Sequence, residues 1–275
     1  MQKTILITGA TDGIGLETAK MLVSLGHHVL LHGRNPRKLE EAANTLSGLS
    51  TGGGVERSVA DLSRLAEVEA FAKAVTQKHE TLDVLINNAG VYQASDSVTQ
   101  DGLDVRFAVN TIAPYLLTQR LLPLLRTSGR VVNVSSAAQS TVNPKALAGH
   151  THLSAGAAYA QSKLALNMWS RHLALSLKNA GPAIIAVNPG SILGSKMVKD
   201  AFGVEGGDIR LGAEILTRVA LLDEFATASG QYFDNDQGQF ASPHPDALDS
   251  QQCEEIVRVI EAVLESRTQT YENHL

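Results

Sequence analysis

The sequence has one cysteine, few aromatic residues and no long apolar run among its 275 residues. Because Cys253 has no partner in the chain, a disulfide-stabilised scaffold is excluded. No apolar stretch approaches the roughly 18 residues that cross a bilayer, so we expect no membrane span. An excess of positive charge is also absent, since 23 Lys and Arg oppose 28 Asp and Glu for a net charge of −5. This balance argues against nucleic-acid binding, which requires a positive surface.

The remaining composition is typical of a folded globular protein, with 44% hydrophobic residues. Extensive disorder is thereby excluded. A lone cysteine, and a strand-like run at residues 4–8 with no targeting segment before it, predict a cytoplasmic protein. No linker, repeat or low-complexity tract divides the chain, so we expect a single domain over residues 1–275.

Short β-branched runs alternate with longer amphipathic segments along the chain. Strands are predicted at residues 4–8, 28–32, 55–59, 82–86, 130–135 and 183–187. Helices are predicted at residues 14–25, 36–46, 65–79, 109–125, 157–178 and 251–267. This alternation predicts an α/β fold, a doubly wound parallel sheet with helices on both faces. Ligands bind such sheets at the carboxyl ends of the strands. Residues 191–212 contain several glycines and no strong period, which predicts a mobile loop that acts as a lid.

The first strand is followed by the glycine-rich segment Thr8-Gly9-Ala10-Thr11-Asp12-Gly13-Ile14-Gly15, after which a helix begins. Glycines permit backbone conformations and close approaches that a side chain blocks. The free N–H groups at the start of the helix are suited to an anionic pyrophosphate. A tight turn without a ligand is the alternative, but the position between a strand and a helix favours a nucleotide site.

The Gly-x3-Gly-x-Gly spacing and six later marks resemble the short-chain dehydrogenase/reductase family. The later marks are Asp61, Asn87-Asn88-Ala89-Gly90, Asn110, Ser136, Tyr159-x3-Lys163 and Asn188-Pro189-Gly190. The resemblance covers residues 3 to about 235 and implies a Rossmann-like fold. Residues 110–118 and the long interval between Ser136 and Tyr159 are similar to the retinol-dehydrogenase-like and protochlorophyllide-reductase-like branches. The family also implies a homodimer or homotetramer, formed through the helices near 109–126 and 157–178.

The resemblance further implies a dinucleotide cofactor and assigns its site. The expected cofactor-binding residues are Gly9, Thr11, Asp12, Gly13, Ile14, Gly15, Arg34, Asp61, Leu62, Asn88, Ala89, Gly90, Tyr159, Lys163, Pro189, Gly190 and Ile192. The second strand ends in His32-Gly33-Arg34-Asn35, without the acidic residue that binds the ribose 2′-hydroxyl of NAD. Arg34 is suited to a 2′-phosphate, so we expect NADP(H). The acidic Asp12 opposes this preference and leaves NAD(H) open. For Asp61, a helix cap is an additional interpretation.

Four residues are expected to carry the chemistry. Reduction of a carbonyl leaves charge on its oxygen, which needs a proton and hydrogen-bond donors. Tyr159 is the candidate acid, and Lys163, four residues later on the same helix face, favours the phenolate electrostatically. The resemblance gives Ser136 the role of donor to the substrate oxygen. It gives Asn110 the role of holding a water that links Lys163 to solvent.

These residues predict an oxidoreductase that interconverts a small-molecule carbonyl and an alcohol. Two alternatives stay open: a reductase of C=C bonds on the same fold, and a dinucleotide-sensing protein without catalysis. The segment around residues 141–158 is expected to border the substrate pocket. It contains His150 and His152, for which a solvated loop is favoured over a metal site, so no metal is expected.

Overall fold

The computed structural model describes residues 1–178 and 180–272 as an eight-stranded sheet flanked by helices. The strands are β1 (Thr4–Ile7), β2 (His28–Gly33), β3 (Val55–Val59), β4 (Leu82–Asn87), β5 (Leu125–Val134), β6 (Ala183–Asn188), β7 (Tyr232–Asp234) and β8 (Gln239–Ala241). Their order is β3-β2-β1-β4-β5-β6-β7-β8. Strands β1 to β7 pair in parallel, whereas β8 is antiparallel to β7. Strands β7 and β8 were not predicted, because each has only three residues.

Helices cover both faces of the sheet, which confirms the doubly wound architecture. They are α1 (Gly13–Ser24), α2 (Pro36–Ser47), α3 (Leu65–Lys78), α4 (Val105–Phe107), α5 (Ala113–Leu121), α6 (Pro144–Leu147), α7 (Ala155–Leu177), α8 (Lys196–Phe202), α9 (Ile209–Leu221) and α10 (Ser250–Glu272). Alternate residues of the strands point to opposite faces. In β1, Ile5 and Ile7 pack with α1, α2 and α9, while Leu6 packs with α3, α5, α7 and α10.

The predicted helix over residues 109–125 is interrupted in the structure. A π-helical segment, Ala108–Ile112, lies between α4 and α5, and a 3₁₀ segment follows at Leu122–Leu124. Pro114 has no N–H and therefore cannot donate to the Asn110 carbonyl, as an α-helix would require. The proline is accommodated at the start of α5, and the wider π turn precedes it. Strand β5 consequently begins at Leu125, five residues earlier than predicted.

The prediction of an irregular loop at residues 191–212 was wrong, because this segment contains α8 and the beginning of α9. Each helix has an N-cap. Ser195 accepts a hydrogen bond from Val198 N (3.3 Å), and Asp208 accepts one from Arg210 N (2.9 Å). Such caps satisfy N–H groups that the first helical turn leaves unpaired. The short α8 and the glycines around it concealed the helical pattern from the sequence.

The last helix, α10, packs against α7 and is bonded to α5. Its apolar side chains Ile256, Val257 and Ile260 are buried, and Tyr115 of α5 donates a hydrogen bond to Glu261 Oε1 (2.8 Å). Helices α5 and α7 are the two through which the resemblance implies oligomer formation. Because α10 covers them, an interface on those faces requires α10 to move. A homodimer or homotetramer stays a prediction.

Residues 1–178 and 180–272 show neither a membrane-spanning helix nor a metal cluster. Within this part, no helix is both long and apolar enough to span a bilayer. In the same residues, no group of three or more His, Cys, Asp and Glu side chains is placed to hold a metal ion. His150 and His152 are both exposed. The cytoplasmic location stays a prediction.

Candidate active site

The loops that follow β1, β4, β5 and β6 meet at the carboxyl edge of the sheet. Backbone hydrogen bonds join neighbouring strand ends, from Thr8 N to Ile86 O (3.0 Å) and from Ser135 N to Val187 O (2.7 Å). The order of the strands therefore brings together residues that are far apart in the sequence. The predicted glycine loop, Asn88-Ala89-Gly90, Ser136 and Pro189-Gly190 follow these four ends in turn, and α7 supplies Tyr159 and Lys163.

The glycine loop has the backbone shape that the sequence predicts. Gly9 and Gly13 adopt left-handed conformations, with φ of +65° and +59°. A Cβ atom on Gly9 would lie 2.8 Å from Ala89 Cα, and one on Gly15 would collide with Gly9 O. Asp12 caps α1 by accepting a hydrogen bond from Gly13 N (2.8 Å). A close-packed glycine turn at a helix N-terminus fits a diphosphate, because added side chains would fill the space and the helix favours anions.

Asn88 holds the glycine loop against the end of β4. Its Nδ2 donates hydrogen bonds to Thr8 O and Gly9 O, both at 3.0 Å. Thr8 Oγ1 in turn accepts from the backbone N–H groups of Asn88 and Ala89, both at 3.1 Å. Asn87, by contrast, braces the sheet, because its Nδ2 donates to Asn133 Oδ1 on the neighbouring strand β5 (2.8 Å). The Asn88 side chain is thus committed to the loop, and contacts of residues 88–90 with a ribose stay a prediction.

His32 is a supporting residue of the cofactor loop that the sequence did not reveal. Its Nδ1 accepts a hydrogen bond from Gly9 N (3.2 Å), and its Nε2 therefore donates to Ala60 O (3.0 Å). The imidazole also stacks on Phe71, with ring centroids 4.9 Å apart. Burial lowers the pKa of His32 to about 4. The only signal in the sequence was a histidine within an otherwise apolar strand.

Arg34 lies just beyond β2, beside the glycine loop. Its side chain is exposed, and within the described residues no carboxylate forms an ion pair with it. A Cβ atom on Gly33 would collide with the Thr11 methyl group, so the end of β2 is packed directly onto the loop. This proximity leaves the Arg34 guanidinium available for a phosphate next to the loop.

Asp61 and Leu62 follow β3 at the same edge. Asp61 Oδ1 accepts hydrogen bonds from Ser63 N (2.9 Å) and Ser63 Oγ (2.8 Å), whereas Leu62 is buried. The first N–H group of α3, that of Leu65, is instead bonded to Asp101 Oδ2 (2.9 Å). The additional interpretation of Asp61 as the cap of α3 is therefore wrong, because a residue 36 positions away from Leu65 performs that function.

The catalytic candidates Ser136, Tyr159 and Lys163 converge at the end of β5. The Ser136 side chain lies near enough to the Tyr159 hydroxyl to favour its ionised form. Ser135 points away, and its hydroxyl donates to Lys163 O (3.4 Å). Lys163 Nζ lies 5.7 Å from the centroid of the Tyr159 ring and donates to Val134 O (2.7 Å). Alternation along the strand thus places Ser136 on the side of the tyrosine.

The electrostatics of this pair are dominated by burial. Burial raises the pKa of Tyr159 above its usual value, and the neighbouring Ser136 hydroxyl acts in the opposite direction. Burial lowers the pKa of Lys163 to about 8. The expected lowering of the tyrosine pKa by Lys163 is not seen in this arrangement, since the ammonium group is bonded to the Val134 carbonyl. Tyr92, whose ring centroid is 4.9 Å from that of Tyr159, contributes to the apolar surroundings.

Asn110 lies in the π-helical segment, next to Lys163. Its Oδ1 accepts from Val91 N (2.8 Å), while its Nδ2 donates to Val91 O (3.0 Å) and Ser162 Oγ (3.0 Å). The side chain therefore fixes the loop after β4 and the start of α7. A Cβ atom on Gly90 would lie 3.5 Å from both Asn110 Oδ1 and Lys163 Nζ, so the absence of a side chain there keeps the space beside them clear.

The segment after β6 folds over the site. Gly190 and Ile192 have φ of +124° and +52°, and Ile192 is exposed. The distances from Cβ atoms placed on Gly13 and Gly90 show how closely this segment approaches the two loops. That of Gly13 is 3.9 Å from Ser195 Cβ, and that of Gly90 is 3.8 Å from Met197 Cε. Residues of the predicted lid therefore stand next to both the glycine loop and the loop after β4.

The long segment between Ser136 and Tyr159 is anchored rather than wholly solvated. It contains α6, where Ala146 and Leu147 are buried in the core. Asn143 N donates to Gln161 Oε1 (2.9 Å), which ties the segment to α7. We still only predict that this segment borders the substrate pocket.

The fold and this site define a nicotinamide-dependent oxidoreductase as the class of protein. A model of the short chain dehydrogenase family matches residues 3–204. Retinol dehydrogenase 13 of Homo sapiens is 32% identical, over 90% of this chain and 80% of that protein. The crystal structure of an uncharacterised protein from Mycobacterium Paratuberculosis superposes with a TM-score of 0.79 and 28% identity, and covers 96% of this chain and 94% of that one.

A second solved structure, the Pseudomonas aeruginosa RhlG/NADP active-site complex, has a TM-score of 0.70 and 26% identity, and covers 86% of this chain and 95% of that chain. The chain belongs to the short chain dehydrogenase family and is an NAD(P)-dependent oxidoreductase. Its similarity to retinol dehydrogenases confirms the retinol-dehydrogenase-like branch that its sequence resembles.

His32 is expected to make the protein acid-sensitive. Its pKa is about 4 in the folded protein against 6.5 ordinarily, so the unfolded chain gains a proton first as the pH falls. The free energy of unfolding should then decrease by about 3 kcal/mol between pH 6.5 and pH 4 on account of His32. Chemical denaturation across this range should show a shallower decrease for His32→Asn than for the wild type. An NMR titration in which His32 of the wild type protonates near pH 6.5 would contradict the prediction.

Lys163 is expected to reduce stability, because its buried ammonium has no carboxylate partner among the hydrogen bonds and ion pairs of the described residues. Lys163→Met should raise the free energy of unfolding at pH 7 by about 1–3 kcal/mol, part of the gain being offset by the lost bond to Val134.

The excess in free energy of unfolding of Lys163→Met over the wild type should shrink between pH 8 and pH 10.5. In this range the folded wild type loses the Lys163 charge that burial disfavours. Denaturant unfolding at pH 7 and pH 10 measures both effects, with the exposed Lys145→Met as control. A variant less stable than the wild type at pH 7 would show that the ammonium stabilises the fold.

Proposed function

We propose that the protein is an NADP(H)-dependent enzyme that interconverts a small-molecule carbonyl and an alcohol, with Tyr159 as its general acid and base. One observation carries this proposal: Ser136, Tyr159 and the buried Lys163, whose Nζ lies 5.7 Å from the centroid of the Tyr159 ring, converge at the sheet edge that also bears the glycine loop. Residues 1–275 would form a single catalytic domain in which residues 191–212 serve as the lid.

In the reducing direction, the bound nicotinamide supplies a hydride to the carbonyl carbon. Tyr159 donates its phenolic proton to the carbonyl oxygen, and Ser136 donates a hydrogen bond to the same oxygen. The negative charge left on the phenolate is favoured by the nearby Lys163 ammonium once this side chain turns toward the ring. In the oxidising direction, the phenolate accepts the alcohol proton.

The proton on Tyr159 must be replaced after each reduction. Lys163 Nζ is buried, so a path to solvent has to run through neighbouring polar groups. The Asn110 side chain is committed to Val91 and Ser162, whereas its carbonyl receives no α-helical bond from Pro114. We assign the water-holding role to this carbonyl, with Lys163 as the link between the water and Tyr159.

The cofactor residues are those of the glycine loop and the strand ends. Gly9, Thr11, Asp12, Gly13, Ile14 and Gly15 would hold the diphosphate, Asp61 and Leu62 the adenine, and Asn88, Ala89 and Gly90 the adenosine ribose. Lys163 and Tyr159 would contact the nicotinamide ribose, and Pro189, Gly190 and Ile192 the nicotinamide. The proposed NADP(H) preference rests on the exposed Arg34, which has no acidic neighbour in the strand end. The likeness to a structure solved as an NADP complex supports it.

The two alternative functions receive less support. A dinucleotide sensor needs no proton donor, yet Tyr159 lies close to Ser136 and to the buried Lys163. A C=C reductase stays distinguishable by substrate, since it would reduce an enone while leaving simple carbonyls unchanged. Similarity to retinol dehydrogenase 13 favours an alcohol and its carbonyl product as the substrate class.

Tyr159→Phe is expected to abolish turnover and to leave cofactor affinity nearly unchanged. The substitution removes the proton donor and keeps the ring, and a general acid contributes about 10²- to 10⁴-fold to rate. Steady-state assays on a panel of ketones and aldehydes, with cofactor binding followed by nicotinamide fluorescence, measure both properties. Tyr115→Phe, which removes a hydroxyl bonded to Glu261 away from the site, is the control. Full turnover by Tyr159→Phe would remove this residue from the mechanism.

The wild type is expected to bind NADPH much more tightly than NADH in separate fluorescence titrations. Arg34→Ala should weaken NADPH binding by about 10- to 100-fold and leave NADH binding unchanged, because it removes charge-assisted hydrogen bonds to the 2′-phosphate. Arg37→Ala is the matched control, since Arg37 is exposed on the adjoining helix and pairs with Glu41. Tighter binding of NADH by the wild type would overturn the assignment of Arg34, and binding of neither cofactor would overturn the proposed function.

A further inference from the structure

The hairpin formed by β7 and β8 contacts two of the loops that build the active site. Tyr232 at the start of β7 donates a hydrogen bond to Ser136 O (3.4 Å), and so reaches the loop after β5. The turn between the strands, residues 235–238, reaches the loop after β6. This hairpin lies outside residues 3–204, the part of the chain that the family model matches. Its contacts therefore belong to a portion of this chain to which the family match assigns no role.

Asp236 is the centre of the contact between the turn and the loop after β6. Its Oδ1 accepts a hydrogen bond from Ser191 N (2.8 Å), and its Oδ2 accepts bonds from the Ser191 hydroxyl (2.5 Å) and Asn188 Nδ2 (2.9 Å). These bonds hold the pKa of the Asp236 carboxyl below its ordinary value, against the opposing effect of burial. The carboxylate is thus charged at neutral pH and accepts from three donors on one short loop.

The neighbouring residues of the turn fix the same loop from its backbone. Asn235 N donates to Asn188 O (3.0 Å), and Asn235 Nδ2 donates to Pro189 O (2.9 Å). The Asn188 side chain also donates to Asp234 Oδ1 (2.8 Å) and accepts from Gly190 N (3.3 Å). Every residue from 188 to 191 is therefore bonded to the turn, directly or through Asn188.

The hydrogen bonds from the turn restrain a segment whose backbone conformation is unfavourable on its own. Gly190 and Ile192 both have positive φ, and for a β-branched residue such a conformation is unfavourable. The end of β6 is paired with the end of β5, so movement of this loop would also change the surroundings of Ser136. External hydrogen bonds are needed to maintain a strained conformation of this kind.

We propose that Asp236 is a positioning residue, which clamps the loop after β6 in the conformation that receives the nicotinamide half of the cofactor. The inference rests on the proposed function for the identity of the cofactor. The bonds themselves are independent of that function. The clamp would act through Ser191 and Asn188, and Asp236 itself would touch neither cofactor nor substrate.

The test compares Asp236→Ala and the milder Asp236→Asn with the wild type. Asparagine keeps one acceptor oxygen, but its amide group cannot accept from Ser191 or Asn188. Both variants should weaken NADPH binding by about tenfold, since they remove hydrogen bonds to a charged group. Binding of 2′,5′-ADP, which lacks the nicotinamide half, should remain at the wild-type level. Gln239→Ala, an exposed substitution in the same hairpin, should change neither affinity.

A second measurement examines the loop without any cofactor. Hydrogen exchange of the amides of residues 190–195 should accelerate about tenfold in Asp236→Ala and stay unchanged in Gln239→Ala, with melting temperatures recorded for all variants. In a double-mutant cycle, Ser191→Ala and Asp236→Ala should be non-additive for NADPH binding, because they disrupt one shared contact.

The outcomes separate the clamp from a general structural role and from the proposed function. Equal loss of NADPH and 2′,5′-ADP binding would overturn the inference and indicate damage to the whole fold. Unchanged NADPH binding together with unchanged exchange would also overturn it. If the wild type binds no dinucleotide, the proposed function fails, and the exchange comparison alone then decides whether Asp236 holds the loop.

Discussion

The site depends on the close contact between the loop after β1 and the loop after β4. The backbone of Gly9 lies so near Ala89 that a side chain at position 9 would overlap it. The Thr8 hydroxyl and the Asn88 amide maintain this contact, and the His32 imidazole bonds the Gly9 N–H from the neighbouring strand β2. The helix α1 begins directly afterwards, so its orientation follows from these bonds. Without these bonds, the N–H groups at the start of α1, which are the candidates for binding an anion, would have no fixed direction.

The second half of the site is expected to oppose stability rather than to support it. Lys163 carries its charge into a buried position, where it is met by a carbonyl oxygen and by no described carboxylate. The adjoining Tyr159 is made a weaker acid by the same burial. Binding of a charged ligand nearby would therefore change the pKa of both Lys163 and Tyr159. The well-packed faces of the sheet supply the stability that permits this arrangement.

The sequence predicted the features that follow from periodicity and spacing, and missed those that depend on long-range contacts. The six main strands and the glycine loop came from local patterns of apolar residues and glycines. Strand β8 was missed because three residues carry no readable alternation. The capping of α3 by Asp101 was missed because the acceptor comes from a distant loop. His32 and Asp236 were missed for the same reason, since the groups they contact are adjacent only in the folded chain.

The position of α10 also has a consequence for the order in which the protein folds. The buried faces of α5 and α7 are complete only when residues 250–272 are present, and these are made more than seventy residues after α7 ends at Leu177. During synthesis, the helix that bears Tyr159 and Lys163 therefore presents apolar surface before its cover exists. The active-site helix therefore reaches its final packing only after α10 has been made and has docked.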